Sequence, residues 1–104
     1  MICEGLAKAY VADPESRREL LREAVSNMVA GDLETAKAVL REFINGTLGF
    51  VALGSALKKS PKSLMRMLSQ NGNPQARNLF EMLVYLQKVE GTVLEVHAID
   101  AAAA

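Results

Sequence analysis

The residues of this chain whose types and spacing could do chemistry are Lys58, Lys59, Ser60, Lys62, Ser63, Arg66 and Gln70. They are cations, hydroxyls and an amide, with no nucleophile set beside a base. Their chemistry is recognition: cations neutralise phosphates, and short hydroxyl or amide side chains hydrogen-bond base edges. Ser60-Pro61 reads as a helix start, with Ser60 capping and Pro61 in the first helical position. On that helix Leu64, Met67 and Leu68 share one side, while Lys62, Ser63, Arg66, Ser69 and Gln70 share the other. The helix is expected to run to about Gln70, and its free N–H groups, with Ser60, to add a local phosphate site. The basic residues gather at its N-terminal half, the part of a recognition helix that enters a major groove. An amphipathic helical pair with a merely solvated outside has the same pattern.

Covalent chemistry finds little support. His97 is the only histidine and has no Ser or Cys placed to use it, so it reads as a surface or interface residue. Cys3 is the only cysteine, which excludes an internal disulfide and a cysteine-rich zinc site. Four metal ligands with sensible spacing cannot be assembled, and no glycine-rich phosphate loop, nucleophile elbow or paired catalytic acids appear. The chain reads as a non-enzyme with no metal and no cofactor. Glu15, Glu19 and Glu23 interleave with Arg18 and Arg22 as surface pairs on a solvated helix face.

Charge distribution points the same way as the candidate residues. The formal net charge is zero, yet residues 43–80 carry Lys58, Lys59, Lys62, Arg66 and Arg77 and no acid. Acids outnumber bases on both sides of that window. Such clustering presents a local field to something anionic, although an ordinary surface lacking acids would look alike. Half of the 104 residues are apolar and only 5% aromatic, so the core is built from Leu, Val, Ala, Ile and Met, as in packed helices within one domain. No apolar run approaches a membrane span and no secretory leader is visible, so a cytoplasmic location and no membrane contact are expected.

The elements that must position these residues follow from capping and period. Residues 1–12 show no firm period and read as a short strand or a loose arm. Asp13-Pro14-Glu15 opens a helix carrying Leu20, Leu21, Ala24, Val25 and Met28 at three- and four-residue spacing, closed by Gly31. Asp32 caps a second, with Leu33, Ala36, Val39, Leu40, Phe43 and Ile44 on one face, ending at Asn45-Gly46. A third runs from about Phe50 to Lys58, with Gly54 as the small residue where the next helix crosses it. The Ser60 helix is the fourth, with Met67 inward and Met65 on its flank, able to touch a thymine methyl. A fifth begins near Pro74, with Ala76, Leu79, Phe80, Leu83 and Leu86 inward, and ends before Gly91. Thr92 to Ile99 alternates, which predicts a short strand in need of a partner. Ala101–Ala104 reads as a frayed tail.

The stretch Ser60-Pro61-Lys62-Ser63-Leu64-Met65-Arg66-Met67-Leu68, followed by Gly72-Asn73-Pro74, resembles the addiction-module antidote (antitoxin) proteins. These are a branch of the phage-repressor-like helix-turn-helix superfamily, and the similarity spans roughly Arg17 to Val96. It implies an all-α, five-helix, lambda-repressor-like domain with a short C-terminal β-strand and a helix-turn-helix over about residues 50–70. It also implies a homodimer that binds double-stranded operator DNA, represses its own operon and neutralises a small toxin protein. The alternative is a helical interaction module that sequesters a toxin without binding DNA. Two residues depart from the family pattern: Lys58 stands at the usual left-handed turn glycine, and Lys59 where an apolar residue is common. Either the turn is shaped differently here, or the added positive charge is tolerated because it meets phosphate. The dimer surface is not readable from the pattern; the Thr92–Ile99 strand is the candidate.

Overall fold

A computed structural model describes residues 12–103, so Cys3 and nearly all of the expected N-terminal strand or arm lie outside the described residues. Five α-helices follow one another: α1 (Pro14–Val29), α2 (Leu33–Gly46), α3 (Gly49–Leu57), α4 (Pro61–Met67) and α5 (Ala76–Glu90). None is long and apolar enough to cross a membrane. The described domain is all-α.

The starts of α1 and α2 use one device twice. Asp13 accepts from the Ser16 N–H at 3.2 Å, and Asp32 accepts from the Thr35 N–H at 3.2 Å, each also receiving the hydroxyl of that residue. Both supply acceptors to helix-start donors that have no partner inside the helix. α1 closes at Gly31 (φ +88°), where the Asp32 N–H turns back to the Asn27 carbonyl at 2.8 Å. α1 and α2 pack against each other, and Leu21, Ala24, Leu40 and Phe43 are all buried. Leu53 of α3, Leu64 of α4 and Met82, Leu83 and Leu86 of α5 complete the core.

Three expectations are corrected. Phe80 does not face inward: it is 57% exposed, because Leu79, Met82, Leu83 and Leu86 already fill the i, i+3, i+4, i+7 stripe that α5 buries. Ala76 is likewise exposed, in the first turn of α5. Thr92–Ile99 is not a strand. The chain leaves α5 at Gly91 (φ +63°), and the Leu94 N–H donates to the Gln87 amide oxygen Oε1 at 2.8 Å. Leu94 packs on the core while Val96 and Ile99 stay exposed. Alternation supplies only a preference, and no ladder forms without a partner backbone. Ala101–Ala103 forms a 3₁₀ turn, with the Ala102 N–H donating to Asp100 Oδ1 at 2.9 Å.

Candidate nucleic-acid interface

The corner between α3 and α4 is built by three residues. α3 ends on Lys58, whose φ of 57° and ψ of 45° are left-handed, so the turn has the shape that normally selects glycine. The Lys59 N–H then reaches back to the Gly54 carbonyl at 2.9 Å. Gly54 is buried where the chain crosses: a Cβ there would lie 2.5 Å from the Lys59 carbonyl oxygen. Ser60 starts α4 as expected, its Oγ accepting from the Ser63 N–H at 3.0 Å and donating to Ser63 Oγ at 2.9 Å. Of the two explanations for Lys58, a differently shaped turn is therefore set aside.

The far end of α4 is held from α2. Lys37 is only 1% exposed, and its ammonium donates to the Ser69 carbonyl at 2.9 Å and the Gly72 carbonyl at 2.7 Å. Glu34 Oε2 is its third partner, at 2.9 Å. Arg41 Nη1 donates to the Leu68 carbonyl. Two cations thus satisfy carbonyls at and beyond the helix end, where orphan acceptors and the negative end of the dipole coincide. They also terminate α4 at Met67 rather than near Gln70. Gly72 completes the return, because a Cβ there would lie 2.1 Å from the Arg66 carbonyl oxygen.

Clamped at both ends, α4 buries Leu64, with Leu68 buried just beyond it and Met67 packed against the core. Lys62 and Arg66, four residues apart, are exposed, as are Lys58 before the helix and Met65 on it. None of the three cations has an ion pair or side-chain hydrogen bond with another described residue. Ser63 is half-buried beside Lys62, its hydroxyl proton still free to donate.

Two of the seven candidates stand apart. Lys59 is half-buried, with Nζ 3.9 Å from Glu81 Oε1 of α5, so its charge is partly met within the chain. Gln70 is exposed but belongs to the turn after α4, where it shares a shallow polar hollow with Arg41 and Asn71. Ser60 contributes its hydroxyl to the cap, and α4 itself has only seven residues, too short to bring a strong helix-start field to a phosphate.

Lys37 and Arg41 are the residues holding the candidate site that the sequence pattern did not single out. A signal was present: Lys37 interrupts the apolar stripe Leu33, Ala36, Leu40, Phe43, Ile44, a position where a lysine must bury its stem. His97 is exposed, 3.4 Å from Glu95. No family model, curated protein or solved structure matches this chain.

Proposed function

We propose that this chain is a sequence-specific DNA-binding regulator in which α3 and α4 form a helix-turn-helix and α4 is the recognition helix. The observation that carries the reading is the sorting of cations around α4. Lys58, Lys62 and Arg66 stand exposed with no ion pair among the described residues, whereas Lys37, Arg41 and Lys59 are engaged inside the domain. Exposed cations beside a hydroxyl, on a helix fixed at both ends, suit a duplex: the charges meet phosphates and Ser63 reaches a base edge. One recognition helix covers few base pairs, so the working unit is a homodimer reading two half-sites about one helical turn apart. The resemblance of the Ser60–Leu68 stretch and of Gly72-Asn73-Pro74 to addiction-module antidotes supports a lambda-repressor-like domain and a narrower role. That role is autorepressor and antitoxin, with a small toxin protein as second partner.

The test is binding to the DNA upstream of the protein's own gene, followed by fluorescence anisotropy at several salt concentrations. Three phosphate-neutralising side chains per subunit give a slope of log affinity against log salt of about −2.7 from that subunit. Lys62→Glu with Arg66→Glu abolishes binding while the helical circular dichroism signal is retained. Undiminished binding by that folded variant overturns the reading.

A further inference from the structure

We infer that the polar hollow between α2 and the turn after α4 is a binding site for a small phosphorylated polyol, a sugar phosphate or the ribose-phosphate part of a nucleotide. The inference goes beyond the DNA reading and does not rest on it. Two elements bring the groups together. α2 contributes Glu34, Thr35 and Arg41, and the turn contributes Gln70 and Asn71, around an open space of about 570 Å³. The turn is pinned on both sides of its two amides. Lys37 donates to the Ser69 carbonyl at 2.9 Å and to the Gly72 carbonyl at 2.7 Å, and the Gly72 N–H donates back to the Ser69 carbonyl at 3.0 Å. A frame fixed in this way lets exposed side chains meet a ligand without first ordering the backbone.

The donors bordering the hollow are largely unspent. A guanidinium carries five N–H groups, and half-buried Arg41 gives one to the Leu68 carbonyl and has no ion pair among the described residues. Neither the Gln70 nor the Asn71 amide is hydrogen-bonded to another described residue. Glu34 is the one acid at the hollow, and the Lys37 ammonium meets it at 2.9 Å, so Arg41 leaves the site net positive. A guanidinium fork on one side and two amides on the other suit a phosphate, whose oxygens accept around a tetrahedron.

The rest of the hollow describes what the phosphate is attached to. Its volume is that of a small-ligand pocket and exceeds what a lone phosphate fills. Its α2 wall also offers acceptors. The Thr35 hydroxyl gives its proton to Asp32 at 2.7 Å, which leaves its oxygen free to accept, and Glu34 keeps Oε1 beside the Oε2 that Lys37 holds. Acceptors next to phosphate donors call for hydroxyls on the same ligand. Sugars within a DNA duplex carry no free hydroxyl, so a free phosphorylated polyol matches this wall and a duplex backbone does not. Because Arg41 also holds the Leu68 carbonyl, an occupant that draws on the guanidinium is felt at the exit of α4.

Amide-detected NMR titration of the full chain with ribose 5-phosphate, ribose and inorganic phosphate tests the inference. With ribose 5-phosphate, the side-chain signals of Arg41, Gln70 and Asn71 and the backbone signals of Thr35 and Leu68 are expected to shift saturably. Ribose alone is expected to move none of them at the same concentrations. Inorganic phosphate is expected to bind at least about tenfold more weakly, the effect of losing one or two hydrogen bonds to hydroxyls. Gln70→Glu with Asn71→Asp places carboxylates against the phosphate and weakens binding at least about tenfold, with the circular dichroism spectrum still helical. Lys62→Glu with Arg66→Glu stays within about threefold of wild type, which separates the hollow from the outer face of α4. Absence of saturable shifts at the five residues overturns the inference. So do shifts of equal size at Lys58, Lys62 and Arg66, which mark an adventitious ion only, and inorganic phosphate binding as tightly as the sugar phosphate. Because no arm contains DNA, failure here is distinct from failure of Lys62→Glu with Arg66→Glu to lose duplex binding.

Discussion

Lys58→Gly separates what the α3–α4 corner needs for folding from what it offers to a ligand. Lys58 is held at φ 57° and ψ 45°, and its side chain is exposed with no described partner, so the substitution removes no native contact. An L-residue in this region costs about 1–2 kcal/mol, and glycine returns about 0.5–1 kcal/mol of that through its greater freedom in the unfolded chain. The variant is therefore expected to be more stable by about 0.5–1 kcal/mol. For a domain of this size that raises the thermal midpoint by about 2–8 °C, read by circular dichroism without DNA. The same variant loses one exposed cation. Its DNA affinity falls, and the slope of log affinity against log salt becomes shallower by about 0.9 per subunit. The two readouts move in opposite directions, which no general loss of structure can imitate. A lower midpoint refutes the strain argument, and an unchanged salt slope refutes the placement of Lys58 at phosphate.

Lys37→Met is expected to cost about 3–5 kcal/mol in urea unfolding, because the Ser69 and Gly72 carbonyls lose their donor although the aliphatic volume is kept; a loss below about 1 kcal/mol would show that water or Arg41 replaces the ammonium. Asp32 governs part of the acid response. Its pKa lies below the ordinary value of 3.8 because the Thr35 hydroxyl and N–H both donate to the carboxylate. A lowered folded-state pKa contributes stability that is present above the unfolded value and lost as pH falls through the folded one. Asp32→Asn keeps an acceptor for Thr35 but cannot titrate, so its stability is expected to fall less than wild type's below about pH 4; parallel acid limbs in the two unfolding profiles would refute this.

Helix placement was legible because its signals are local. Asp13-Pro14, Asp32 and Ser60-Pro61 announce three starts, and Gly31 and Gly91 announce two ends. The apolar stripes of α1 and α2 then follow from period alone. Misreadings arose where tertiary partners decide. Phe80 sits one position from Leu79, and only the packed domain shows which of two overlapping stripes is buried. Thr92–Ile99 has a strand's alternation without a strand's neighbour. At the candidate site the exposure of Lys62 and Arg66 followed from the amphipathic pattern of α4. The engagement of Lys59 with Glu81 was not legible, since it joins elements 22 residues apart whose packing the sequence does not reveal. The end of α4 was misjudged for a related reason: Lys37 and Arg41, from a different helix, hold the carbonyls there.

That last interaction bears directly on how so short a helix can present a binding face. Seven residues make about two turns, far below the length at which a helix is stable alone in water. α4 therefore exists only because its surroundings over-determine it. Ser60 fixes the entry, Leu64 and Leu68 anchor the inner side, and Lys37 and Arg41 draw the exit carbonyls toward α2. With both ends and one side committed, the outer side is left with little freedom of orientation. Lys62 and Arg66 then keep flexible side chains on a rigid base, the condition under which binding energy is not consumed in ordering the backbone. Lys37 and Arg41 hold the helix, so if α4 binds a duplex as proposed, loss of Lys37 is expected to impair that binding even though Lys37 is itself only 1% exposed.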